Sequence, residues 1–368
     1  MGSTTTTNIV VIGAGITGLT TALTLSRNPA YSINVIAEHL PNDTHHPPSY
    51  ASPWAGAHYD TGSSPGTISN DLEKATYPHL YNLATKQPES AIELQDYRLI
   101  LRTKDRGQEG YEKYKKSEER HPWVKHWFMP REEVQKLGFE DVAGEIDEVI
   151  CYESMCINTV KYLRWLVGEC KKNGVTFKQA KVGSIEEASK WHHSGKEPDV
   201  VVNATGLGAR SLGGVEDRDM YSVKGQTVIV REPSHAMYGI SDNEPDGRGE
   251  DEKCYIMKRP QGGGTVLGGC FRIGDEDGEV DEALAERIVW RIKKVAPELN
   301  RDLEVMKIGV GFRPARKGGV RIERERIGEI EVVHCYGHGG SGYQQSWGSA
   351  EVVKKLVEDV IRGRDPQL

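Results

Sequence analysis

A short apolar run, Asn8-Ile9-Val10-Val11-Ile12, leads directly into Gly13-Ala14-Gly15-Ile16-Thr17-Gly18. The pattern predicts a strand that ends in a glycine turn. Leu19 to Arg27 follows with Leu19, Ala22, Leu23 and Leu25 at helical spacing, and Ile33-Asn34-Val35-Ile36-Ala37 reads as a second strand ending at Glu38. Strand, glycine loop, helix, strand and acid in that order define a dinucleotide-binding βαβ unit. Gly13 permits the tight turn, Gly15 lets backbone approach a pyrophosphate, and Gly18 lets helix and strand pack together. The helix start offers open N–H groups and a partial positive charge to phosphates. Glu38 lies twenty residues beyond Gly18. A carboxylate there accepts from ribose hydroxyls and disfavours a 2′-phosphate, which argues against NADP. The motif does not separate FAD from NAD, and the bland alternative is a glycine-rich turn in an ordinary α/β domain.

With 368 residues, the chain is long enough for two domains or one large one. Its 37% apolar residues exclude a disordered chain, and its 41 glycines show no three-residue period, which excludes collagen. A net charge of −7 argues against a nucleic-acid partner. No apolar run reaches the ~18 residues of a membrane helix, and Met1-Gly2-Ser3 with the four threonines after it has no secretory-signal pattern. Six cysteines without a Cys-x-x-Cys pair read as reduced thiols.

Residues 41–70 form a long loop rich in Pro, Ser, Gly and His, including Ser52-Pro53-Trp54-Ala55-Gly56-Ala57-His58. Its small residues would let backbone meet a flat ring. Helices are expected over Glu73 to Lys86 and Tyr162 to Lys172, and the charge-dense stretch from Arg102 to Arg120 reads as a solvated helix or loop. Asp199 to Ala204 is a second buried-strand pattern, turning at Gly206 beside the nucleotide. Further strands are expected over Gly225 to Val230 and Gly264 to Phe271, with an acidic loop from Ser234 to Lys253 between them. A second glycine fingerprint is missing, which disfavours a reductase with two dinucleotide domains. Val305 to Gly309 reads as a strand leading into Val310 to Gly319, where Arg313 before Pro314 is held extended with a fork that matches a carboxylate. Ile330 to Val333 reads as another strand, entering the glycine-rich loop His334 to Gln344 and then a helix to about Gly363. His334 and His338 lack an obvious third ligand, so no metal is assigned.

These segments together resemble the FAD-dependent D-amino-acid oxidases, in their fungal branch, essentially end to end. The resemblance is carried by Val10–Gly18, Ser52–Ala57, Gly225-Gln226-Thr227-Val228, Tyr255-Ile256-Met257, Gly311-Phe312-Arg313-Pro314 and the block from Val332 to Ala350, with Cys335 as a departure. It implies an α/β fold: a Rossmann-like FAD-binding domain and a second, α+β substrate domain built on an antiparallel sheet. The expected FAD-binding domain is discontinuous, residues 1–50, 148–215 and 308–368, with the cap in 51–147 and 216–307. The implied reaction takes a D-amino acid and O2 to a 2-oxo acid, ammonia and hydrogen peroxide by hydride transfer to the flavin. The family context also suggests a homodimer contact on the cap. It suggests a peroxisomal address as well, to which Pro366-Gln367-Leu368 contributes its final Leu, with the cytoplasm as the other location.

By position, the resemblance gives Arg313 and Tyr255 the substrate carboxylate and the Gly340 carbonyl the amino group, and it puts Gln344 near both flavin and substrate. Phe271 stands where a relative carries a second carboxylate-binding Tyr, and His58 is a further polar group in the pocket. The ADP half would lie against Gly13, Ala14, Gly15, Ile16, Thr17, Gly18, Ala37, Glu38, His39 and Val182. The isoalloxazine would meet Ser52, Gly56, Ala57, Gly206 and the run Gly339, Gly340, Ser341, Gly342, Tyr343 and Gln344. A D-aspartate oxidase shares this scaffold but places an extra Arg after the strand containing Pro233. Here Gly239 and Ile240 stand there, with Arg248 later in an acidic loop. Neutral substrates are therefore the first expectation. A glycine or sarcosine oxidase and a non-catalytic nucleotide sensor are the remaining alternatives.

Overall fold

The computed structural model describes residues 6–138, 145–241 and 251–363. The βαβ unit forms as expected. Strand Thr7–Ile12 pairs in parallel with Tyr31–Ala37, and helix Ile16–Leu25 connects them. On its other side Thr7–Ile12 pairs in parallel with Val200–Asn203, which pairs in parallel with Ile330–Tyr336. Thr176–Gln179 and the antiparallel Arg321–Ile327 close the two edges of this six-stranded sheet. Ile9, Val10, Val11 and Val200 to Val202 are buried, as central parallel strands with both faces covered require. Helix Gly342–Ile361 packs beside helix Ile16–Leu25, and its Trp347, Val353 and Val357 join the same core.

The second sheet has nine strands among the described residues, nearly all antiparallel. Its long members are Ile92–Arg102 against Ile146–Ile157, and Met220–Val230 between Thr265–Cys270 and Val305–Arg316. A single parallel pairing, Ile92–Arg102 with Met237–Ile240, joins its two halves. The mixed α/β class with a largely antiparallel second sheet agrees with expectation. The expected boundaries at 148 and 308 each fall inside a strand of this sheet.

Several local readings need correction. The strand expected over Val305 to Gly309 continues to Arg316, so Arg313, expected to be extended, lies within it. Ile330–Tyr336 likewise carries His334 within the sheet, where the ring bonds Glu325 at 2.9 Å. The acidic loop is shorter than expected: Met237–Ile240 and the start of Glu252–Lys258 are strands, and residues 242–250, including Arg248, lie outside the described residues, as do Pro366 to Leu368. The charged stretch from Arg102 is not simply solvated. Arg102 and Asp105 form a buried ion pair at 2.7 Å, and Tyr111 is buried. All six cysteines are buried and unbridged.

Candidate active site

A cavity of about 1070 Å3 is lined by residues of both sheets. Part of its wall is the glycine turn. Gly13 has φ +107°, and a Cβ there would overlap the Ala204 carbonyl. Gly18 is the exception among the expected cofactor residues. It does not line the cavity, and its missing side chain makes room for the Gly13 carbonyl beneath it. Helix Ile16–Leu25 starts at Gly15 with no side-chain cap, and helix Gly342–Ile361 starts at Ser341 in the same way. Two helix starts whose own N-cap residues supply no side-chain cap thus border one cavity, each with N–H groups for anionic or polarised acceptors. Ser52 Oγ accepts from Ile16 N–H at 3.0 Å, and the Tyr50 hydroxyl donates to the Ala14 carbonyl at 2.6 Å. Ala37, Glu38, His39 and Val182 line the cavity as well, with Glu38 3.4 Å from Lys181 Nζ.

The loop after Ser52 is anchored by Arg259. Its Nε donates to the Gly56 carbonyl at 2.6 Å and its Nη2 to the Ala55 carbonyl at 2.7 Å. That holds the Ala55–Ala57 backbone open to the cavity, while the Tyr343 hydroxyl donates to the Ser52 carbonyl at 2.8 Å. Gly206 and Gly339 to Gln344 complete this part of the wall.

The large sheet supplies the rest. Arg313 Nη1 donates to the carbonyls of Cys270 and Lys224 at 3.1 and 3.3 Å, and the guanidinium lies 5.0 Å from the Phe271 ring centre. Its neighbour Tyr255 has a hydroxyl whose pKa is raised by burial, an effect that Arg313 opposes. Gly340 is close by: a Cβ there would sit 3.5 Å from Arg313 Cδ. Three strand glycines create the space. A Cβ at Gly225 would lie 2.6 Å from Arg313 Nη1, one at Gly268 would overlap the Tyr255 ring, and one at Gly239 would overlap the Tyr97 hydroxyl. Tyr255 pairs with Gly268 on one side and Gly239 on the other, so its strand is flanked by bare backbone at that level.

His58 stacks on Tyr97 at 4.9 Å and 6°, with its Nε2 buried and unpartnered. Burial lowers its pKa, with Asp60 acting in the opposite sense, which keeps the ring neutral at pH 7. Gln344 is held at both ends: Nε2 donates to Glu73 at 2.8 Å, and Oε1 accepts from the Asp60 N–H at 3.2 Å. His338, bonded to Ser349, has its pKa pushed down to about 4 by burial. His334 and His338 therefore serve different partners, and no group of three metal-ligating side chains comes together among the described residues.

The expected residues other than Gly18 all reach this one cavity. Missed were Arg259 and Glu73, which act from behind the wall, and Lys113 and Tyr114, which line it from helix Glu109–Lys115. Charge density concealed the inward face of that helix, and the signal of close approach that the sequence does carry is its strand glycines Gly225, Gly239 and Gly268. The volume lies at or above the usual ~300–1000 Å3 of small-ligand sites. With two open helix starts and a guanidinium, it fits a dinucleotide together with a small acid.

A family profile described as FAD dependent oxidoreductase matches residues 8–356. The chain is 41% identical to a D-amino-acid oxidase of Fusarium vanettenii, covering 98% of this chain and 99% of the relative. It is 30% identical to a D-aspartate oxidase of Talaromyces thermophilus, covering 95% and 94%. The crystal structure of glycine oxidase from Bacillus cereus ATCC 14579 superposes with a TM-score of 0.74 at 18% identity, covering 96% of this chain and 95% of that one, and shows the same fold. Fingerprint, cavity and full-length similarity agree that this chain belongs to the FAD-dependent oxidoreductase family and uses FAD as its cofactor.

Proposed function

We propose that the chain is an oxidase of neutral D-amino acids. The substrate becomes an imino acid, water takes that to the 2-oxo acid and ammonia, and O2 is reduced to hydrogen peroxide. FAD, when bound, supplies a two-electron acceptor that O2 can reoxidise. The protein contributes orientation and electrostatics.

The observation that carries this reading is Arg313. Two carbonyls hold its Nη1, and the Phe271 face supports its plane. Its remaining nitrogens are left to bind the substrate carboxylate in a fork. Tyr255 donates its hydroxyl to the same carboxylate, and the Gly340 carbonyl accepts from the amino group. Gln344 borders both substrate and cofactor. With carboxylate and amino group both held, the α-hydrogen of only one enantiomer points toward the electron acceptor. No charged base is needed, and His58 in the wall is neutral.

A second reading, oxidation of D-aspartate, is favoured by the full-length similarity to the D-aspartate oxidase of Talaromyces thermophilus. It is opposed at Gly239, where an arginine side chain would run into Tyr97. A peroxide-coupled assay with both enantiomers of alanine and aspartate separates these readings. In the same assay Arg313→Ala, still folded and yellow, loses ~2–5 kcal/mol of transition-state stabilisation, a drop in kcat/KM of at least about thirtyfold. Near-normal kcat/KM for D-alanine in that variant would overturn the assignment. A homodimer through the large sheet, tested by ultracentrifugation, and a peroxisomal location, tested by imaging, complete the proposal. No described helix is long and apolar enough to cross a membrane.

A further inference from the structure

Glu73 sits on helix Ile68–Lys86 with only 1% of its surface exposed. Four side chains converge on its two oxygens. Oε1 accepts from Gln344 Nε2 at 2.8 Å and from Gln345 Nε2 at 3.1 Å, while Oε2 accepts from Ser63 Oγ and faces His121 Nε2 at 3.2 Å. Three donors and an imidazole nitrogen around one carboxyl group suit a side chain that accepts at both oxygens. A buried charge is costly unless hydrogen bonds satisfy it in this way. Both glutamines lie in the first turn of helix Gly342–Ile361, whose positive end favours an anion.

This carboxylate dictates which way the Gln344 amide faces. With the NH2 group on Glu73, the carbonyl must face the other way, and there it accepts from the Asp60 N–H at 3.2 Å. Asp60 Oδ1 in turn accepts from the Tyr152 hydroxyl at 3.1 Å, and Asp60 is two residues from His58. The Tyr59 hydroxyl donates back to the Glu73 backbone carbonyl at 3.0 Å. Glu73 thus ties the glycine-rich loop to the opposite wall of the cavity.

We propose that Glu73 is a positioning residue: its buried carboxylate sets the orientation of Gln344, and through it the register of the two walls that enclose the substrate. This rests on the oxidase reading above. Glu73→Gln keeps the shape but offers one acceptor atom to three donors. The Gln344 amide then loses the partner that fixes its orientation.

The test is a double-mutant cycle on the FAD-loaded protein with wild type, Glu73→Gln, Gln344→Ala and the double variant. It reads kcat/KM for D-alanine and the visible absorption band of bound FAD. Glu73→Gln is expected to lower kcat/KM about ten- to a hundredfold, ~1.4–3 kcal/mol, and to cost under about threefold in the Gln344→Ala background. The band shifts in each single variant and no further in the double. Equal costs in both backgrounds, or wild-type kinetics and spectrum in Glu73→Gln, overturn the proposal. Should Glu73→Gln fail to fold, the cycle is run with Glu73→Asp, and equal costs there overturn it too. Wild type that makes no peroxide from D-alanine sinks the oxidase reading instead, and the spectral cycle still decides the role of Glu73.

Discussion

Gly225 lies under the Arg313 guanidinium, and a methyl group there would stand 2.6 Å from Nη1. The guanidinium cannot yield inward, because its Nη1 is bonded to the carbonyls of Cys270 and Lys224. Gly225→Ala should therefore push the fork off its seat while leaving the nucleotide turn untouched. Overpacking of this kind costs ~1–3 kcal/mol. The expected result is a rise in KM for D-alanine of about five- to a hundredfold with FAD still bound, read by steady-state kinetics and the flavin spectrum. Unchanged KM would show that the fork does not need this space. Arg313 and the fingerprint could be read from sequence because each is a local pattern with a chemical meaning. Arg259 and Glu73 could not, because nothing local distinguishes a buried arginine or glutamate from an exposed one until the fold surrounds it.

At the scale of elements, helix Ile16–Leu25 and its strand touch where Gly18 meets the Gly13 carbonyl. Gly18→Ala forces backbone against backbone, which no side-chain rotation relieves. We expect it to destabilise the fold by ~1–3 kcal/mol and to weaken FAD binding, because the displaced turn is the one that faces the phosphates. Thermal unfolding of the apoprotein and an FAD titration check both effects, and an unchanged Tm with unchanged affinity contradicts the packing argument. The βαβ elements were legible because an unbroken apolar run and a helical stripe announce themselves. Val305–Arg316 was truncated in the reading because Gly309, Gly311 and Pro314 look like punctuation. The strand tolerates Pro314 because Met220–Val230 is its one partner strand among the described residues and the other side meets only an isolated Ala315–His338 bridge and, through the Phe312 N–H, the Pro48 carbonyl, so the missing N–H costs no ladder bond. Glycines there signalled close approach rather than a loop.

For the whole molecule, the large sheet was foreseen only through family resemblance. Its pairings join segments far apart in the chain, such as Ile92–Arg102 in parallel with Met237–Ile240, and no local periodicity encodes them. Folding buries several imidazoles in both parts of the molecule. His58, His79, His126, His192, His334 and His338 all have pKa values lowered chiefly by burial. Each binds its proton more readily in the unfolded chain, so the unfolded state holds more protons below the ordinary imidazole value of ~6.5. Stability therefore rises with pH through that window and falls as the solution is acidified. His338, with its pKa near 4, contributes on the order of 3 kcal/mol of this loss between pH 6.5 and 4. Denaturant unfolding between pH 7.5 and 4.5 should show the decline, with His338 alone taking up close to one proton on unfolding near pH 5. His338→Gln should flatten the slope by about one proton, whereas an identical slope in that variant would mean that the ring is already charged in the folded enzyme.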